Sequence, residues 1–189
     1  MPEDPTQLRV GLTGSILLAP VGTADPVATA GAWPAGWVNL GLVDEDGMPE
    51  FTPSTEVQEH RSWQRTFPTR YDVTGRSAEL TFTLQQKSGT NLKLAFGGGT
   101  VVALAAPGDF KYTPPAPTAG LYEKAVGLEV VDGSIIDRYV LRRGFVSDVG
   151  AIAFKKDEIT RFPLTVKPME PAAGDVWLLA ASNDPALAS

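Results

Sequence analysis

The chain has 189 residues, 43% hydrophobic and 20% charged, with a formal net charge of −6 and no cysteine. That length suits one well-buried domain of ordinary globular composition, and the lack of thiols excludes disulfides, thiolate metal sites and cysteine nucleophiles. No apolar run approaches the roughly 20 residues a helix needs to cross a bilayer. An acidic balance also argues against tight nucleic-acid binding, which needs clustered Lys and Arg.

The chain opens on MPEDPTQLR, without the basic-then-apolar pattern of a secretory signal. Turn residues are dense throughout, with 19 Gly and 16 Pro, and amphipathic helical patterns are scarce. Together these predict an all-β fold of many short strands. Expected strands lie at 13–19, 38–42, 77–86, 126–131, 135–146, 159–167 and 175–181. The clearest is 77–86, where Ala78, Leu80, Phe82 and Leu84 alternate with Ser77, Glu79, Thr81, Thr83 and Gln85. In 158–166, Phe162, Leu164 and Val166 share one face, and Pro163 predicts an edge or bulged position. One short helix is expected over about 88–96, with Ser88, Thr90 or Asn91 as N-cap and Gly97 just past its end. Leu92 and Phe96 would pack it on the outside of a sheet.

Two long connections stand out. Residues 23–34 (TADPVATAGAWP) are small and non-periodic, and read as a flexible loop. Residues 44–71 open on the turn signal Asp44-Glu45-Asp46-Gly47, pass acidic Glu56 and Glu59, and become basic and aromatic at Arg61, Trp63, Arg65 and Arg70. A compact domain rarely keeps so long a structureless loop, so a β-arm reaching beyond the core is expected there. The proline-rich run 112–120 reads as an exposed loop. The organisation is therefore a single domain, 1–189, with an N-terminal arm (1–12), the arm 44–71 and a C-terminal tail (183–189).

Charge is split along the chain. Residues 1–60 carry nine acids and one base, Arg9, whereas 61–100 carry six bases and two acids. Scattered solvated charge accounts for this, and so does a subunit with an acidic and a basic face suited to head-to-tail association. Glu56, Glu59, Arg61, Trp63 and Arg65 are expected at subunit interfaces, with Asp44, Glu45, Asp46 and Arg70 beside them. Arg138, Arg142 and Arg143 fit either inter-subunit ion pairs or an exposed strand face.

No catalytic constellation is visible. The sole histidine, His60, has no second histidine with which to share a metal. Asp44–Asp46–Gly47 resembles part of a calcium loop, but Glu56 does not fall at the position of its last ligand. Gly97-Gly98-Gly99 follows a helix instead of preceding one, which suits a helix stop and not a phosphate cradle. No catalytic residue, cofactor or metal is expected. Trp37 and Trp177 adjoin apolar strands and read as core, while Trp33 and Trp63 read as exposed anchors.

Several features in order resemble the major tail tube proteins of siphophages, in particular those of actinobacterial phages. They are Gly14–Pro26 (an AP-x-GT-x-x-P loop), Trp37-Val38-Asn39-Leu40-Gly41 followed by Asp44-Glu45-Asp46-Gly47, then Ser62-Trp63. After these come 78–85 with 91–97, and last Arg161-Phe162-Pro163-Leu164-Thr165-Val166. The series spans roughly residues 13–170. The resemblance implies a β-sandwich or barrel with one flanking helix and a non-enzymatic virion role. Six copies would form a ring and stacked rings a tube, assembled in the host cytoplasm, through which genomic dsDNA passes without sequence-specific binding. It implies as partners further copies of the chain, a tape measure protein, a tail terminator and distal tail or baseplate proteins, and no membrane. Another virion β-module (terminator or capsid decoration protein) and a carbohydrate-binding β-sandwich using Trp33 or Trp63 are the alternatives.

Overall fold

The computed structural model describes residues 8–172 and 176–188. Its elements in chain order are β1 (Thr13–Ala19), β2 (Val38–Asn39), β3 (Glu50–His60), β4 (Arg70–Leu84) and α1 (Gly89–Ala95). There follow β5 (Thr100–Ala103), β6 (Phe110–Thr113), β7 (Lys124–Asp132), β8 (Ile135–Val149), β9 (Phe162–Pro168) and β10 (Leu178–Ser182). The all-β expectation with one short helix holds. The expected N-terminal arm and C-terminal tail extend over 1–7 and 189, and the expected last strand begins at Asp175; these residues lie outside the described ones.

Eight strands form one antiparallel sheet in the order β2-β1-β7-β8-β9-β4-β3, with β10 also on β8, while β5 and β6 make a separate hairpin. The period-2 pattern read in β4 is what the core uses. Ala78, Leu80, Phe82 and Leu84 are buried, as are Phe162, Leu164 and Val166 on β9 and Ile16 and Leu18 on β1. Burial of such side chains stabilises the sheet by about 1.5–3 kcal/mol each.

Three expectations are corrected. The strand carrying Pro163 is central, paired to β8 on one side and β4 on the other. Pro163 sits near its start and accepts a hydrogen bond from Gly150 N at 2.9 Å, while the irregularity falls on the neighbouring strand, between Val146 and Asp148. The strand expected over 38–42 has only two residues: Leu40 N still bonds Ile16 O (2.9 Å) in the same register, and Gly41, at φ +92°, then turns the chain away. The helix buries Asn91, Leu94 and Ala95, with Leu92 only partly buried; Phe96 is its C-cap and leans on Tyr112 instead, at 5.7 Å.

The ends of α1 are as the residues dictate. Ser88 Oγ accepts the Asn91 amide at 3.1 Å. Gly97 and Gly98, both at positive φ, donate back to Leu94 O (3.4 Å) and Lys93 O (2.6 Å). That pair of bonds is the Schellman arrangement, whose left-handed residue glycine adopts without steric cost.

The sheet forks. The first half of β8 lies between β7 and β10, and its second half pairs with β9. On β4, residues 80–84 pair with β9, but 70–79 pair with β3 alone. Phe51 of β3 stacks on Trp177 across the fork, at 5.9 Å and 18°. Below them lies an apolar cavity of about 320 Å³ lined by residues such as Leu80, Val126, Tyr139 and Leu178.

Candidate assembly interface

The expected arm is present as a two-stranded ribbon. Glu50 opposes Thr81 at its root and His60 opposes Arg70 at its tip, so the return strand runs past the expected limit of 71. All eleven residues of β3 are exposed. The tip closes with Thr69 N and Oγ1 donating to His60 O, at 2.8 and 2.9 Å.

A β-bulge sets the two faces of this ribbon. Glu56 opposes Gly75 and Val57 opposes Val73, which leaves Thr74 as an extra residue on β4. Side chains directly opposite share a face, and an extra residue shifts the alternation by one. The apolar positions of β4 are even from 78 to 84 but odd at Tyr71 and Val73, and the bulge brings both sets to one side. Phe51, Val57, Tyr71 and Val73 thus continue the core-facing surface out along the arm, partly open to solvent. The opposite face carries Glu50, Thr52, Ser54, Glu56, Gln58 and His60. At the tip, Trp63 is 98% exposed and Phe67 is also exposed.

The arm's charges pair locally: Arg61 with Glu59 at 2.9 Å, Arg70 with Asp72 at 2.6 Å and His60 with Asp72 at 3.0 Å. Arg65 is exposed at the tip. At the other end of the strands, Asp44 is buried: it accepts from Gln85 Nε2 at 2.7 Å and pairs with Arg161 at 2.9 Å. Glu45 and Asp46 beside it are exposed. Nothing in the sequence around Arg161 points to a partner more than a hundred residues away.

Arg138, Arg142 and Arg143, which fitted either inter-subunit ion pairs or an exposed strand face, each bond to groups of their own chain, and Arg138 is buried. Only 4% exposed, it pairs with Glu129 (2.7 Å), donates to Ala28 O and Gly31 O (2.7 and 2.6 Å) and lies over the Trp33 ring at 5.1 Å. Arg142 pairs with Asp25 at 2.7 Å, and Arg143 with Glu123 at 2.9 Å, which holds the Glu123 carboxyl below its ordinary range. The loop 23–34, expected to be flexible, is therefore tied to β7 and β8. Trp33 Nε1 donates to Glu129 at 2.8 Å and Trp37 Nε1 to Ala24 O at 2.9 Å. A Cβ on Gly127 would fall 2.6 Å from the Trp33 ring, so the tryptophans need a glycine beneath them. Trp33 is accordingly half-buried and not exposed as expected, whereas Trp63 is exposed.

Among the described residues no group of three His, Cys, Asp or Glu is placed to hold a metal ion, and no helix is long and apolar enough to cross a membrane. What the fold and the site define is an all-antiparallel-β module with a projecting amphipathic arm.

The sequence matches the family model described as phage tail tube protein over residues 1–187, and the chain belongs to that family. It is a structural protein of the phage tail and thus a virion component. Among solved structures it is similar to the PVC sheath/tube terminator of an extracellular contractile injection system in its extended state. That similarity has 11% identity and a TM-score of 0.44, covering 95% of this chain and 99% of the other. No curated protein matches the sequence.

Proposed function

We propose that this chain is one tail tube domain whose copies close into hexameric rings, and that the rings stack head to tail into the hollow tube of a siphophage. Genomic dsDNA would pass through the lumen. The observation that carries this is the β3–β4 arm: a two-stranded ribbon whose Val57, Tyr71 and Val73 share one face with Glu59 and Arg76 and stay exposed among the described residues. Isolated two-stranded ribbons are marginal in water, so such an arm gains its stability from a partner.

Open sheet edges support lateral closure. Among the described residues the outer edge of β3 is unpaired along its length, and β1 meets the short β2 segment over Ile16, Leu17 and Leu18. Edges of this kind invite strand pairing with another copy. The net charge of −6 suits a lumen that repels the DNA backbone. The tape measure protein, tail terminator and distal tail or baseplate proteins are the partners this role entails, with assembly in the host cytoplasm. Catalysis has no part in it.

Electron microscopy of the concentrated purified protein, or of its virion, tests this. Stacked six-fold rings are the expected result. Closed oligomers that never stack would overturn the tube in favour of a terminator or decoration protein. Glycan binding lost on Trp63→Ala would favour the carbohydrate module.

A further inference from the structure

We infer that the arm's aromatic tip docks into an apolar groove at the opposite end of the next copy, making a plug and socket for axial stacking; this rests on the assembly role proposed above. The groove, about 450 Å³, is lined by Leu92, Phe96, Ile152, Phe154 and Phe162, with Lys87 on its lip. Phe154 is 80% exposed there, a large aromatic left at the surface by the described residues.

Position along β4 selects a second copy's arm as the occupant. The tip lies beyond Arg70, at the start of the strand, while the groove lies past Leu84, where α1 meets the end of β8 and the start of β9. At about 3.3 Å per residue, β4 separates the two by roughly 45 Å. A chain therefore cannot fill its own groove with its own tip, but the next copy along the strand direction can. Contact between two different surfaces at opposite ends does not close on itself and generates a filament.

Charge agrees. The groove runs through Gly150 into a recess lined by Asp46, Glu50 and Asp148, and Glu45 lies beside it. The tip presents Arg65 together with Arg61 and Arg70, the last two partly neutralised by Glu59 and Asp72. Asp46 already faces Arg161 at 3.6 Å, and Lys155 is paired with Glu158. The groove's own charged lining residue is Lys87, of the same sign as the tip, so the arginines approach from the acidic recess beyond Gly150. Trp63 and Phe67 supply the aromatic surface that such a groove buries best.

The chain has no cysteine, so engineered pairs report cleanly. Two differently tagged populations, Trp63→Cys and Phe154→Cys, are mixed, assembled and treated with a short bismaleimide. Crosslinking between tags is expected in stacked assemblies and not in dilute monomer, whereas Trp63→Cys with Val27→Cys, far from the groove, stays uncrosslinked. Both positions are exposed, so Trp63→Ser and Phe154→Ser fold normally, which circular dichroism checks. Each should raise the concentration needed for stacking at least about tenfold, and the double variant should be no worse than either single. If tubes form without the 63–154 crosslink, or Phe154→Ser stacks like the parent chain, the socket is overturned while the assembly role stands. If the parent chain never stacks, both fall.

Discussion

Phe82 and Tyr71 lie on the same strand, yet one belongs to the body and the other to the arm. Phe82 is 2% exposed and paired with Leu164 of β9, whereas Tyr71 is 56% exposed and, among the described strands, paired with β3 alone. Both point to the same side, because the bulge at Thr74 compensates for their opposite parity. The body is built to be stable alone and the arm to be completed by something else. Local stability follows buried apolar contact, so the two halves of β4 should open with very different free energies.

The widest separation is expected from truncating those two side chains. Phe82→Ala should destabilise the isolated chain by about 3–5 kcal/mol in urea unfolding. Tyr71→Ala should change it by no more than about 0.5 kcal/mol while weakening assembly. Equal costs would show that the arm is part of the cooperative body. A smaller effect is expected at Arg138, whose replacement by Met leaves two carbonyls without their donor and Glu129 with Trp33 Nε1 but no counter-charge. Breaking a buried pair costs about 3–5 kcal/mol, and partial exposure of Glu129 places this one at the low end. Hydrogen exchange should speed up at 23–34 and stay unchanged at 50–77; faster exchange in the arm would mean that the two regions are coupled.

The smallest effect concerns Glu123, whose carboxyl is held below its usual range by Arg143. A depressed carboxyl contributes stability that is present above its ordinary value and is lost as pH falls through the folded one. The melting-temperature gap between the parent chain and Arg143→Gln should be full at neutral pH and vanish well below about pH 4. Tube formation should not follow that titration, because this pair lies in the body. An assembly midpoint moving with it would break the distinction between the two regions.

Much of the body was legible in the sequence. Period-2 alternation located the buried side of β4 and of β9, and the Ser88 and Gly97 signals located both ends of α1. The arm was legible as a charged and aromatic β-arm, but the composition of its two faces was not. Its two apolar sets differ in parity, and only strand register reveals the bulge that joins them. The partners of Arg138, Asp44 and Asn91 were not legible. Asn91 is fully buried and donates to Leu40 O and Gln86 O at 2.9 and 2.6 Å, a role that depends on chain segments meeting in space.

What the residues alone determined is what local rules control: strands with one apolar side, a capped helix, many turns, no thiol chemistry and an arm too long and too charged to be a simple loop. The tertiary structure decided the rest. It placed Pro163 inside the sheet, tied the small-residue loop down with Arg138, and set the aromatic tip and the Phe154 groove at opposite ends of the molecule. These features depend on which strand lies beside which. Hydrogen-bond register over long separations decides that, and no local pattern encodes it.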